Sequence, residues 1–131
     1  MNKQLHVVAG IIKNAEGKYL IAKRPDEKHL GGLWEFPGGK RENNESAFEA
    51  LRRELQEEIN IQVIDAKPFL QIEHAYPEKN ILLDVWEITD YLGESIGLEG
   101  QTILFIPAVD LKHYAFPAAN LNIVEKLLCN L

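Results

Sequence analysis

Two periodicities run through the chain. Residues 5–12 and 19–23 are short apolar or β-branched runs separated by the turn-forming sequence Asn14-Ala15-Glu16-Gly17, and they predict two opening strands. Residues 24–44 lose the pattern and gather Gly and Pro, including Gly31-Gly32 and Pro37-Gly38-Gly39. This predicts a long loop, and loops of such length in compact domains usually carry function. Over residues 45–59 the period becomes helical, with Phe48, Leu51, Leu55 and Ile59 on one stripe, Asn43 or Asn44 as candidate N-cap and Asn60 as candidate left-handed terminator. Residues 61–72, 80–89 and 102–106 return to strand character, the first two joined across Tyr76-Pro77-Glu78-Lys79, and residues 120–131 read as a second helix. Strands on both sides of one helix, with a second helix last, predict an α/β fold in which a mixed sheet is covered on its faces.

A length of 131 residues predicts a single domain, 1–131, with one substantial core. The 46% hydrophobic and 26% charged fractions are those of a soluble globular protein. A net charge of −6 argues against polynucleotide binding, which rests on many Lys and Arg contacts, but leaves room for a small anionic ligand if a metal ion brings positive charge. The single cysteine, Cys129, cannot form an internal disulfide and fits a reducing compartment, with the cytoplasm the simplest expectation. The uninterrupted apolar run at residues 7–12 is too short for a membrane span and poor as a signal peptide, so no membrane partner is expected.

The predicted first helix carries Glu54, Glu57 and Glu58 at positions i, i+3 and i+4, within about 100° of arc on one side. Like charges at these spacings destabilise a helix by roughly 0.2–0.5 kcal/mol per pair, and the last turn disfavours anions. Carboxylates placed against local preference suit a hard cation, Mg²⁺ or Mn²⁺, held together with substrate phosphates. Taken alone, such spacing more often describes a solvated acidic face. The preceding Gly-Gly turn offers close backbone approach, and Arg53 is a partner for carboxylate or phosphate.

Gly39, five residues, Glu45, seven residues, then Arg53-Glu54-Leu55-Gln56-Glu57-Glu58-Ile59-Asn60-Ile61 resembles the signature of the Nudix hydrolases. Asn60 replaces the usual glycine, and Asn is the next best residue for a left-handed helix terminus. Glu35-Phe36-Pro37-Gly38-Gly39-Lys40, Glu99-Gly100-Gln101 and Phe116-Pro117-Ala118-Ala119-Asn120 extend the resemblance, to the MutT branch, across essentially the whole chain. That resemblance implies the Nudix fold, an α/β/α sandwich with a mixed β-sheet. It implies a metal site formed by Glu54, Glu57, Glu58, Glu99 and the Gly38 carbonyl, and a nucleotide site that includes Arg24, His29, Glu35, Phe36, Pro37, Gly38, Lys79 and Asn120. Lys79 stands where the family has an arginine, which puts a bidentate or stacking contact to base or sugar in question.

The implied activity is Mg²⁺-dependent hydrolysis of nucleoside triphosphates, 8-oxo-dGTP to 8-oxo-dGMP and pyrophosphate, which sanitises the nucleotide pool used in DNA replication. Glu54 is the first choice of general base, with Glu99 or water activated by the ion as alternatives. Arg53 is expected to orient the cluster, and Arg24 and Lys40 to meet phosphate. Other Nudix specificities (ADP-ribose, dinucleoside polyphosphates, pterin triphosphate) and a non-catalytic Nudix binding module are the competing readings. A monomer is expected. Trp34 and Trp86 read as core, Phe36 and Tyr76 as either pocket or packing, and His6, His74 and His113 have no assigned role.

Overall fold

The computed structural model describes residues 4–26 and 31–129. Its strands are β1 (Gln4–Ile11), β2 (Tyr19–Lys23), β3 (Trp34–Glu35), β4 (Gly38–Lys40), β5 (Gln62–Tyr76), β6 (Lys79–Leu92) and β7 (Ile103–Ile106). The helices are α1 (Ala47–Ile59) and α2 (Ala118–Cys129), with a 3-10 segment at Ala108–His113. One sheet has the order β4-β1-β6-β5 and a second the order β3-β2-β7. The first is mixed, because β1 runs parallel to β6 and antiparallel to β4. Among the described residues no helix is long and apolar enough to cross a membrane.

Alternation along the strands divides the interior in two. On β1, Val8 joins the cluster under α1 with Leu51, Leu55 and Ile59, while Ala9 and Ile11 join the cluster with Ile123, Val124 and Leu127 of α2. On β6, Leu83 and Val85 go to the α2 side and Trp86 and Ile88 to the α1 side. A period of two therefore gives each face of the sheet its own helix, which is the expected α/β/α arrangement. Leu51, Leu55 and Ile59 are fully buried, and each such side chain stabilises the fold by roughly 1.5–3 kcal/mol.

Three features differ from the sequence expectation. The stretch at residues 24–44 is not all loop: β3 pairs with β2, and β4 pairs with β1 through Val7↔Lys40, Val8↔Gly39 and Ala9↔Gly38. Strands of two and three residues are too short to show a period, so partners from elsewhere in the chain decide them. The cap of α1 is Ser46 rather than Asn43 or Asn44: its hydroxyl accepts from the Glu49 N–H, and the Glu49 carboxylate accepts from the Ser46 N–H. Asn60 does end the helix in the left-handed region, at φ 63°. Finally, α2 starts two residues before Asn120, whose N–H donates to the Pro117 carbonyl, so Asn120 sits in the first turn rather than at the start.

Ser46→Ala is expected to cost about 1 kcal/mol in urea unfolding, the usual value of a lost N-cap. Asn43→Ala and Asn44→Ala, both at exposed positions, should change stability little. The reverse ranking would return the cap to the asparagines.

Candidate active site

The Gly38-Gly39 pair of β4 fits between β1 and α1 because neither residue has a side chain. A Cβ on Gly39 would stand 2.2 Å from Oε2 of Glu54, and one on Gly38 would stand 1.9 Å from the Val8 carbonyl oxygen. Close approach lets the Gly38 N–H donate to Oε2 of Glu58 at 3.1 Å. Arg53 then joins the elements. Its guanidinium donates to both carboxylate oxygens of Glu45 (3.1 and 2.6 Å), to Oε1 of Glu54 (2.8 Å) and to the Lys40 carbonyl (3.0 Å), and it stands 3.5 Å from Oε2 of Glu57.

Glu99 arrives from the loop after β6. The N–H groups of Ile96 and Leu98 donate to the carbonyls of Ile59 and Glu58, and the Gln101 side chain donates to the Glu58 carbonyl (3.1 Å) while accepting from the Glu99 N–H (2.9 Å). The last carbonyls of a helix lack intrahelical partners, and here the loop supplies them. Glu45 and Gln101 thus hold the site, although motif spacing alone gives neither a role. Their positions in the two motifs were the available signal.

The carboxylates oppose one another's ionisation. Burial first, then the neighbouring Glu35, Glu99 and Glu54, push the Glu58 carboxyl up to about 8, against the Gly38 N–H that favours its charged form. Glu54 is raised by burial and by Glu57 and Glu99, with Arg53 working against the shift. Burial also raises Glu35, Arg24 opposes it, and Glu99 adds to it. Glu45 lies outside this group, and its hydrogen bonds to Arg53 and the Glu42 N–H lower it to about 2. Oxygen donors crowded against their own repulsion have the chemistry of a hard divalent-cation site. Among the described residues no group of three or more His, Cys, Asp or Glu forms a ready-made ligand shell, so the fit rests on the donor set.

A cavity of about 280 Å³ is lined by Glu35, by Lys40 and by Gly38 and Gly39, the pair that also meets the α1 carboxylates. Phe36, Tyr76, Ile81 and Leu83 give it apolar walls, Asn120 a carboxamide, and Arg24 and Lys79 cationic groups. Phe36 both lines the cavity and packs, stacked on Phe116 at 5.5 Å, so its two readings hold together. Arg24 forms a 2.9 Å ion pair with Glu35, which brings two of the substrate candidates together. Pro37 is buried, and its carbonyl accepts from the Gly10 N–H, tying the loop to β1. His29 lies outside the described residues. Trp34 and Trp86 pack against the two cores, as expected.

The sequence profile of the NUDIX domain family matches residues 8–126. An 8-oxo-dGTP diphosphatase of Proteus vulgaris is 44% identical over 99 residues, 76% of this chain and 88% of the relative. A CTP pyrophosphohydrolase of Escherichia coli is 32% identical over 126 residues, 96% of this chain and 93% of the relative. A solved MutT structure, from work on the Aliivibrio salmonicida and Vibrio cholerae proteins, superposes with a TM-score of 0.87 at 39% identity, covering 98% of this chain and all of that one. The chain belongs to the Nudix family, and its fold is the Nudix sandwich.

In the metal-free protein, the unfolded chain loses the Glu58 proton near the ordinary value of 4.5, while the folded chain keeps it up to about 8. Stability from this group is therefore greatest below about pH 4.5, falls as pH rises through that window and levels off above about 8. A divalent ion held through Glu58 would have to displace the proton, so any stabilising effect of such an ion should grow across the same window. Thermal melts of wild type and Glu58→Gln over this range check both points. An equal pH dependence in the variant would remove Glu58 as the cause.

Proposed function

We propose that this chain is a Mg²⁺-dependent nucleoside triphosphate diphosphatase, with Mn²⁺ able to substitute. It converts 8-oxo-dGTP to 8-oxo-dGMP and pyrophosphate, and thereby removes an oxidised precursor of DNA synthesis. The observation that carries this reading is that Gly38, Gly39 and Lys40 border the base-sized cavity while Gly38 and Gly39 also meet the carboxylates of α1. A nucleotide with its base in the cavity would run its phosphates along β4. We further infer a cytoplasmic monomer acting on free nucleotides.

The reaction is an in-line attack of water on the β-phosphorus. A bond forms from the water oxygen to phosphorus, the bond to the α–β bridging oxygen breaks, and the monophosphate departs. Bound divalent ions would neutralise phosphate charge and make the attacking water more acidic. Glu54, Glu57, Glu58, Glu99 and the Gly38 carbonyl are the groups to hold them. Glu54, its carboxyl raised by burial, is suited to take the water proton, with Glu99 as the alternative base. Arg53 keeps the cluster oriented, and Lys40, Arg24 and Lys79 offer positive charge to phosphate or sugar. The CTP pyrophosphohydrolase relative favours a second reading, in which the same chemistry acts on a pyrimidine nucleotide.

Pyrophosphate release should be Mg²⁺-dependent and fastest with 8-oxo-dGTP in a panel that includes dGTP, CTP and ADP-ribose. Glu54→Gln and Glu57→Gln should each lower turnover by about a hundredfold or more with the fold intact, since the carboxamide keeps the shape and loses the ligand charge. Near-normal turnover in either variant would remove it from the site.

Asn120 should read the oxidised purine. Among the described residues its carboxamide has no protein hydrogen bond, and it lines the cavity. Guanine shows two acceptors, N7 and O6, whereas oxidation at C8 turns N7 into a donor beside the O6 acceptor. One carboxamide matches that oxidised edge with two hydrogen bonds, and normal guanine leaves its oxygen facing a lone pair. Asn120→Ala should lose most of the kcat/KM preference for 8-oxo-dGTP over dGTP. An unchanged ratio would place recognition elsewhere.

A further inference from the structure

Besides Glu58, the buried charged residue of the described chain is Asp84, 4% exposed on β6 in the middle of the mixed sheet. A buried carboxylate costs several kcal/mol unless it is hydrogen-bonded. Its partner is Nε2 of His6 on β1, at 2.8 Å. The other ring nitrogen, Nδ1, accepts from Nε–H of Arg41 at 3.1 Å, so the ring hydrogen lies on Nε2 and donates to Asp84.

His6 pairs one oxygen of Asp84, and the bonds continue beyond the ring. Nη1 of Arg41 donates to the Glu45 carbonyl at 2.7 Å. Glu45 presents both carboxylate oxygens to Arg53, and Arg53 reaches Oε1 of Glu54. The path leads from a buried residue of the sheet to the residue assigned above as general base, and every link is 3.1 Å or shorter. It also crosses the 41–46 segment, which joins β4 to α1.

We propose that Asp84, His6 and Arg41 are positioning residues of the carboxylate site: they fix the 41–46 segment, and through Glu45 they set the Arg53 fork that aims Glu54. The inference rests on the metal-site reading of that cluster. None of the three borders the cavity, so they should act on metal binding and turnover and leave nucleotide affinity nearly alone.

The test uses Arg41→Met, His6→Leu and the double variant of the full chain. Mn²⁺ affinity is measured by the paramagnetic signal of the free ion, and kcat and KM for 8-oxo-dGTP at saturating Mn²⁺. Each single variant should weaken Mn²⁺ binding and lower kcat by about tenfold, the usual range for residues that orient metal ligands, with KM changed by less than about twofold. Members of one chain are non-additive, so the double variant should be no worse than either single. His6→Gln, whose amide can donate to Asp84 and accept from Arg41, should recover most of the loss. Arg41→Met alone carries the test if His6→Leu fails to fold.

Normal Mn²⁺ affinity and kcat in Arg41→Met would overturn the proposal, as would losses that multiply in the double variant. If wild type hydrolyses no triphosphate but its Mn²⁺ affinity follows the expected pattern, the functional reading fails and the positioning role stands. A wild type that binds no Mn²⁺ overturns both.

Discussion

The guanidinium of Arg53 joins three parts of the chain at the site through one side chain. Its donors reach Glu45 in the segment before α1, the Lys40 carbonyl of β4, and Glu54 on its own helix. Fork geometry to a carboxylate is strong and directional, and lysine could not supply it, because an ammonium has no fixed plane of donors. With Arg53 in place, the Glu54 carboxylate has a defined direction. Without it, Glu54 would face Glu57 and Glu99 with no compensating charge nearby.

The same region shows local stability giving way to chemistry. Three glutamates in the last two turns of α1 oppose both their mutual repulsion and the helix dipole, and no basic residue stands in the last turn to offset them. Burial then pushes Glu58 and Glu54 toward the protonated state. Elsewhere the helix is made secure: a capping box at Ser46 and Glu49, a left-handed terminator at Asn60, and Leu51, Leu55 and Ile59 fully buried. Sequences that break local rules at one place and obey them at the others usually mark a functional site there.

The cavity shows a comparable balance. Arg24 and Glu35 are paired, so the guanidinium at the cavity wall is already engaged by a carboxylate that burial disfavours as an anion. Phe36 serves the core and the cavity at once through its stack on Phe116, and the Trp34 N–H donates to the Ala115 carbonyl. The segment before α2 is thereby tied to β3, which places Asn120 over the cavity by main-chain bonding rather than by a loop free to move.

Periodicity and motif spacing determined much of this protein by themselves. The stripe of Phe48, Leu51, Leu55 and Ile59 specified α1 and its buried face, Asn60 its end, and Glu54, Glu57 and Glu58 one shared side, because a helix relates residues three and four apart without reference to the rest of the chain. The strands long enough to show a period were legible for the same reason, and the Nudix signature was legible because its residues lie close together in sequence. Tertiary structure alone decided the rest. β3 and β4 exist through their pairing with β2 and β1, and the Ser46 cap won over two asparagines because the chain turns into the helix only after Glu45. The Arg24–Glu35 pair, the Gln101 bridge to Glu58 and the path from Asp84 through His6 to Arg41 join residues 11, 43, 78 and 35 positions apart. Hydrogen bonds act over about 3 Å, and which distant residues come within that reach is settled by how the sheet and helices pack.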